Sequence, residues 1–249
     1  MGSCFGEQIK VTVFGESHAR AVGVTIDGLP AGIRVDREAL SAFLARRAPG
    51  NAPYATARRE KDEPEFVCGL HADHTCGSPV TALIFNTDAR PGDYAKAQNT
   101  PRPGHADLTA HIKYGGYGDL TGGGHFSGRL TAPLCVAGFL CKTVLEGMGV
   151  SVGAHIHSIL DVYDTPFDPV AVSAETLAAA GRSAFPVLDS AKGEDMLSVI
   201  EKAKAQGNSV GGVVECGAVG LPAGVGEPMF GGIENRIAAA VFGIPAVKG

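Results

Sequence analysis

The sequence lacks several features that mark particular classes of protein. It has no excess of basic residues: 21 Lys and Arg stand against 26 Asp and Glu, for a net charge of −5, whereas nucleic-acid and membrane-surface binders need a basic field. It has no run of about 18 apolar residues to span a membrane, and its first residues lack the charged-then-apolar pattern of a secretory signal. We therefore expect a cytoplasmic protein with neither a nucleic-acid nor a membrane partner.

The sequence also lacks the spacings of common cofactor and crosslink motifs. It contains neither a Walker motif nor a GxGxxG dinucleotide fingerprint. Its cysteines are scattered without a CxxC pair, which argues against zinc and disulfide frameworks and favours a reducing compartment. There are six of them: Cys4, Cys68, Cys76, Cys135, Cys141 and Cys216.

Glycine, by contrast, is abundant. The 35 glycines in 249 residues are about twice the average share and lie between apolar runs, which is typical of tight turns and close backbone contacts. Short apolar or alternating runs predict strands, and longer amphipathic runs predict helices. The strands are expected at 9–15, 22–28, 79–86, 151–160 and 209–220, and the helices at 37–47, capped by Asp36, and at 194–207, closed by Gly207.

A third predicted helix, at 127–148, is apolar on nearly every side, which predicts that it is buried inside the protein. Elsewhere the chain repeats itself: "IDGLPAG" at 26–32 and "AVGLPAG" at 218–224 each follow a predicted strand and precede a candidate helix. This repeat indicates a duplicated strand–turn–helix unit.

Two histidines lie where acid–base chemistry is feasible. His18 follows a predicted strand in "FGESHAR", and His105 lies in a glycine–proline turn three residues after Arg102. Histidine titrates near neutral pH, so either could transfer a proton. With a phosphate bound nearby, His105 would be pushed toward its protonated form. A purely structural turn is the alternative for both residues.

A glycine-rich loop precedes the apolar helix, in "GDLTGGGHFSGRLTAPL" at 118–134. Such a loop, running into a helix N-terminus, can hold an anion, and Arg129 could add a bidentate grip on a phosphate. Four further arginines cluster within a short stretch of this acidic chain, either as a solvated face or as a site for a small polyanion. They are Arg46, Arg47, Arg58 and Arg59.

Two histidine pairs faintly suggest a metal site. They are His71 with His74, and His155 with His157, and the latter two would share one face of a strand. No carboxylate or cysteine partner is evident for the second pair, and we predict no metal site.

The order of the motifs is more specific than any one of them. "FGESH", "DGLPAG", "RRAPG", "RPGHAD", "GGGHFSGRLTA", "GLPAGVGEP" and "IPAVKG" together closely resemble the chorismate synthase family over the whole chain. The resemblance implies an α+β fold in which helices pack between antiparallel sheets related by internal duplication. It also implies a single domain over residues 1–249, a homotetramer, and the absence of roughly the C-terminal third of a family member.

The family activity implied is the trans-1,4 elimination of phosphate from 5-enolpyruvylshikimate 3-phosphate, which gives chorismate. It requires reduced FMN, with NADPH as a candidate reductant. The resemblance places the two catalytic histidines at His18, which would protonate the leaving phosphate, and His105, which would stabilise the reduced flavin. The flavin contacts fall on His125, Phe126, Ser127, Pro245 and Ala246, and the substrate or NADP contacts fall on Arg46, Arg47 and Arg129.

The chain departs from the family pattern at some of these motifs. Ala19 replaces the usual glycine after the first histidine, and Pro53 replaces an arginine linked to nicotinamide binding. Two alternatives to the lyase stay open. One is a catalytically incomplete fragment that binds flavin or another anion, and the other is a hydrolytic phosphatase, for which no metal cluster or nucleophile is evident.

Overall fold

The computed structural model describes residues 2–50, 54–55, 60–87 and 100–249. The chain divides into two compact units, of which the first comprises Met1–Cys141 with Gly226–Gly249 and the second comprises Lys142–Val225. Arg58, Arg59 and Pro53 lie outside the described residues. The expectation of a single domain stays a prediction.

A five-stranded antiparallel sheet forms the first unit, in the order β1-β2-β3-β7-β4. Its strands are β1 (Cys4–Phe5), β2 (Lys10–Gly15), β3 (Ala21–Asp27), β4 (Pro64–Cys68) and β7 (Val80–Phe85), and a small hairpin adds β5 (Leu70–His71) and β6 (His74–Thr75). The strands predicted near residues 9–15, 22–28 and 79–86 are confirmed.

Alternation of side chains gives this sheet one apolar face. The buried residues of the central strands recur at every second position, because successive side chains point to opposite faces. They are Val11, Val13, Val22, Val24, Ile26, Val80, Ala82 and Ile84. The opposite face carries polar pairs, such as Thr25 and Thr81, whose hydroxyl oxygens lie 3.0 Å apart.

Helix α1 (Arg37–Arg47) begins as predicted. The Asp36 carboxylate caps it by accepting the N–H of Ala39 at 2.9 Å, and Leu40 and Leu44 are buried on one side. The first unit also contains α2 (Asp107–Lys113), most of α3 (Thr131–Gly147) and α6 (Ile233–Val241).

Helix α3 is less buried than its composition predicts. Its buried residues form one stripe, namely Ala132, Pro133, Val136, Ala137 and Leu140. The stretch Gly128–Gly147 is long and apolar enough to cross a membrane by length and composition, but core helices pass the same test. Its buried stripe, and the buried Arg129 in the short turn just before it, are features of a helix that packs against the rest of the protein.

The second unit is a three-stranded antiparallel sheet with two helices. The sheet order is β10-β8-β9, formed by β8 (Ser151–Ile159), β9 (Val162–Tyr163) and β10 (Gly212–Val219), and the helices are α4 (Ala174–Arg182) and α5 (Ser190–Ala205). Phe167, Leu177 and Ala180 form its core. The strands predicted at 151–160 and 209–220 and the helix at 194–207 are confirmed, as is the class α+β.

The two copies of the repeated motif have matching backbones. Gly28, after β3, has φ +88° and Gly220, after β10, has φ +84°. A Cβ on Gly28 would lie 2.1 Å from the carbonyl oxygen of Gln8, and a Cβ on Gly220 would lie 2.2 Å from that of Gly149. In both turns the oxygen belongs to a residue just before the partner strand. Each motif is followed by a helix, α1 or α6. These similarities support the predicted strand–turn–helix repeat.

Candidate active site

The glycine-rich loop forms a tight, irregular turn over Thr121–Phe126. Gly122, Gly123 and Gly124 have φ values of 61°, 96° and 53°, in the left-handed region that side chains disfavour. A Cβ at Gly124 would lie 1.8 Å from the carbonyl oxygen of Asp119. The loop therefore requires glycine for both its conformation and its close packing.

The imidazole of His18 packs directly against this loop. A Cβ at Gly122 would lie 2.3 Å from both Cδ2 and Nε2 of His18, so the ring rests on the bare Cα of the glycine. The N–H of Ser17 also donates to the Gly124 carbonyl at 3.1 Å. The first histidine motif and the glycine loop thus form one site.

Asn86 holds the turn that carries His18. Its side-chain amide donates to the carbonyl oxygens of Glu16 at 3.1 Å and Ala19 at 2.7 Å. Ala19 is not among the residues with positive φ, so this turn accepts alanine without backbone strain. His18 itself is half-buried just beyond the end of β2, where the sequence predicts it.

His105 lies in an exposed loop, with its Nδ1 3.1 Å from the carbonyl oxygen of Pro103. Arg102 forms a bidentate pair with Asp107, through Nε at 2.8 Å and Nη2 at 2.9 Å. The hydrogen bond from Arg102, with the Arg102 and His105 charges as smaller causes, outweighs burial and lowers the pKa of Asp107 to about 2. The positive charge of Arg102 is therefore already paired with a carboxylate beside His105.

The loop of His105 also borders the glycine loop. A Cβ at Gly123 would lie 3.8 Å from Nη2 of Arg102. The glycine loop therefore packs against His18 at one glycine, and the arginine of the second histidine motif lies near the next glycine, within reach of a side chain placed there. These three motifs are far apart in the sequence and converge in the fold.

The ring of His125 fixes the glycine loop to the sheet. Its Nδ1 lies 2.8 Å from the Gly15 carbonyl oxygen and its Nε2 lies 2.7 Å from Ser3 Oγ. A carbonyl can only accept, so Nδ1 carries the hydrogen and Nε2 is left for the serine hydroxyl. Both nitrogens have partners within the protein, and a flavin contact at this position stays a prediction.

The next two residues differ in their freedom to contact a ligand. Phe126 is 46% exposed, and its ring centroid lies 6.4 Å from that of Tyr114. Ser127 accepts the N–H of Arg129 through its hydroxyl at 3.2 Å and caps the short turn before α3. An exposed aromatic surface therefore lies beside the glycine loop.

Arg47 and Arg129 are joined by one buried carboxylate. Each guanidinium donates from Nη1 to a different oxygen of Asp62, whose side chain is fully buried. Arg129, only 5% exposed, also donates from Nε to the Asn86 side-chain oxygen at 3.0 Å, and its Nη2 lies 3.9 Å from a Glu60 oxygen. Buried ions require such pairing, because desolvation otherwise opposes their charge.

This network connects the arginines to the histidine turn through Asn86. Glu60, Asp62 and Asn86 belong to no motif, so none of them is predicted from the sequence. The only signal was indirect: an arginine in an apolar helix start needs acidic partners, and acidic residues are common around position 62. The Nη2 of Arg129 remains buried without a hydrogen-bond partner.

The remaining predicted residues lie apart from this network. Arg46 is exposed on α1. Pro245 and Ala246 are exposed in a turn closed by the Val247 N–H on the Ile244 carbonyl, and Ala246 has φ +71°. Within the described part of the chain, the hydrogen bonds around the glycine loop include none of these three.

The histidine pair of the second unit has carboxylate partners that its local sequence does not show. His155 is 1% exposed, with Nδ1 2.8 Å from Asp164 Oδ2 and Nε2 2.8 Å from Glu215 Oε2. Burial opposes ionisation of both acids, but hydrogen bonds lower the pKa of each. Asp164 is hydrogen-bonded to the backbone N–H groups of Leu188 and Asp189 and to His155. Glu215 is hydrogen-bonded to His155 and to the backbone N–H of Phe167.

An α+β fold whose glycine loop gathers histidines and arginines has the site of an enzyme for a small anionic substrate. Residues 9–249 match the family model described as chorismate synthase, and the chain belongs to this family.

Curated relatives and a solved structure agree. The chain is 45% identical to a chorismate synthase of Lancefieldella parvula over 259 residues, covering 100% of this chain and 68% of that protein. It is 46% identical to a chorismate synthase of Thermococcus gammatolerans over 244 residues, covering 98% of this chain and 66% of that protein. A solved structure, "Crystal Structure of Chorismate Synthase", matches with a TM-score of 0.77 at 28% identity, covering 98% of this chain and 67% of that one.

The chain therefore spans about two thirds of the length of these relatives. The resemblance predicted from the motif order is confirmed, and so is the chorismate-synthase-like α+β class. Membership of this family supports a lyase role in the shikimate pathway and aromatic amino acid biosynthesis, with a phosphorylated small molecule as substrate.

Proposed function

We propose that this chain catalyses the trans-1,4 elimination of phosphate from 5-enolpyruvylshikimate 3-phosphate to give chorismate, with reduced FMN as cofactor. The observation that carries the proposal is the position of the glycine loop, which packs against His18 and lies beside the arginine of the His105 loop. Family membership supplies the reaction, and this convergence supplies a place for it.

The residues around the loop fit a flavin. Phe126 and Tyr114 present aromatic surface beside the glycines, and the three glycines remove side chains where a ring system would approach. Reduced FMN, when bound, supplies the electron density and the base for this chemistry. The protein positions it and provides charge. Phe126 and Ser127 would contact it with the neighbouring His125, and Pro245 and Ala246 are proposed as further contacts.

His18 is the proposed acid for the leaving phosphate. Its ring is half-buried and pressed against Gly122, which fixes the position of the imidazole relative to the loop. A positioned histidine can donate a proton to a departing anion, and such catalysis contributes about 10²–10⁴-fold. His105, exposed beside Asp107, is proposed to stabilise the charge of the reduced cofactor.

The arginines are proposed to serve the substrate anions and the reductant. Arg129 has a buried Nη2 without a hydrogen-bond partner, and Arg47 is joined to it through Asp62. We propose Arg129 and the exposed Arg46 as further contacts to the substrate anions, and Arg47 for substrate or NADPH. A homotetramer in the cytoplasm is proposed on family resemblance.

The decisive experiment supplies the chain with the substrate and chemically reduced FMN under anaerobic conditions and follows chorismate and phosphate together. We expect both products in equal amounts, and neither product without reduced flavin. A flavin absorbance change without turnover would identify the binding fragment instead. Phosphate release without reduced flavin would identify a phosphatase, and no response in either assay would contradict the proposal.

A further inference from the structure

The second unit contains a cluster of possible metal ligands that the proposed lyase reaction does not use. His155 and His157 lie two residues apart on β8 and so share a face. Glu215 is the Cα partner of His155 on β10. One atom from each of these three side chains lies within 4.8 Å of the others.

The arrangement of two carboxylates around one imidazole in this cluster favours a bound cation. His155 has a carboxylate oxygen 2.8 Å from each ring nitrogen. A neutral imidazole has one N–H and can donate to only one of two carboxylates. The other nitrogen then faces an anion with its lone pair, unless a second proton or a metal ion lies there.

The third side chain favours the metal ion over the proton. The Nδ1 of His157 is buried and has no hydrogen-bond partner among the residues that the structure describes, and it lies 4.0 Å from Oε2 of Glu215. A proton on His155 would leave this nitrogen without a partner, whereas a metal ion between the three side chains would coordinate it. Zinc bonds of about 2.1 Å in a tetrahedral arrangement place ligand atoms roughly 3.4 Å apart, and the observed 2.8 Å and 4.0 Å bracket this separation.

We propose that Nε2 of His155, Nδ1 of His157 and a carboxylate oxygen of Glu215 form a binding site for Zn²⁺. Two histidines and one glutamate are an established zinc ligand set, with water in the fourth position. The side chains of His157 and Glu215 are 27% and 32% exposed, so the cluster lies close to solvent although Nδ1 of His157 is itself buried. Asp164 accepts from Nδ1 of His155 and thereby points the other nitrogen's lone pair at the ion, as carboxylates behind zinc-bound histidines do.

This proposal departs from the expectation of no metal site. That expectation considered only the sequence around the histidines, whereas Glu215 is 60 residues from His155 along the chain and reaches it by strand pairing.

The test is a titration of the chain with Co²⁺, a spectroscopic substitute for zinc, followed by competition with Zn²⁺. We expect one Co²⁺ per chain, with the intense visible absorption of a four-coordinate site, and its displacement by Zn²⁺. His157→Phe keeps an aromatic ring against Tyr163, 5.8 Å away, and should abolish the spectrum, as should Glu215→Gln. The matched control is His111→Asn, which removes an exposed imidazole elsewhere and should bind as wild type does.

Asp164→Asn tests the positioning role and should weaken the Co²⁺ affinity by about 10–100-fold while keeping the stoichiometry. Circular dichroism must show each variant folded. The proposal is overturned if folded wild-type chain gives no stoichiometric Co²⁺ spectrum, since the cluster then holds only a proton. It is equally overturned if His157→Phe binds Co²⁺ as tightly as wild type. Neither outcome depends on lyase activity.

Discussion

Replacing Gly122 with alanine tests whether the glycine loop positions His18, the proposed acid. The new Cβ would lie 2.3 Å from the His18 ring, whereas ordinary contacts begin at 3.4 Å. The imidazole must therefore move by roughly 1 Å, a displacement that costs about 100-fold in rate at a catalytic group. The positive φ of 61° adds about 1–2 kcal/mol of backbone strain.

Gly123→Ala is the matched control. Gly123 also has a positive φ, at 96°, but its new Cβ would meet nothing closer than 3.7 Å. Both variants should therefore have a lower Tm, by a few degrees for each kcal/mol of strain. Only Gly122→Ala should lose most of its turnover.

The assay is chorismate formation with reduced FMN, accompanied by thermal denaturation. The NMR signals of the His18 ring give a readout that does not need activity, and they should shift in Gly122→Ala alone. Equal losses of turnover in the two variants would refute the positioning argument. So would a Gly122→Ala effect that persists in full when His18 is already alanine.

Three further predictions concern the surrounding network. Asn86→Ala removes three hydrogen bonds and should lower the free energy of unfolding by roughly 1.5–4.5 kcal/mol; urea denaturation should show almost no loss for the exposed control Asn208→Ala. Arg129→Met breaks a buried ion pair and should lower the free energy of unfolding by about 3–5 kcal/mol. The control Arg46→Ala, at an exposed position, should lower it by at most about 0.5 kcal/mol. Equal losses in the two variants would contradict a stabilising role for the network. Asp107→Asn should lower the free energy of unfolding by about 2 kcal/mol at pH 7. Because the folded-state pKa is lowered to about 2, this stabilisation is present above about pH 4 and is lost as the pH falls through 2; a gap between wild type and variant that stays constant over this range in urea denaturation would be the contrary result.

The strands and capped helices were predictable from the sequence because their signals are local. Alternation in β2, β3 and β7 and the Asp36 cap depend on residues within a few positions of each other. The burial of α3 was overestimated, since composition does not reveal which side of a helix the rest of the chain covers.

The candidate site was predictable only where a motif marks it. His18, His105 and the glycines come from such motifs, and their proximity follows from the fold. Asp62 and Asn86 carry no pattern, because a buried carboxylate between two arginines depends on contacts across 15 and 67 residues. The motif of His125 does not indicate that its ring bonds to Gly15 and Ser3, and the cofactor contact predicted there stays a prediction.

The turns at Gly28 and Gly220 are internal replicates of one another. A side chain at either position would collide with a backbone oxygen at nearly the same distance. Substitution tolerance measured at one turn should consequently carry over to the other, and a difference between them would report how far the halves have diverged in rigidity.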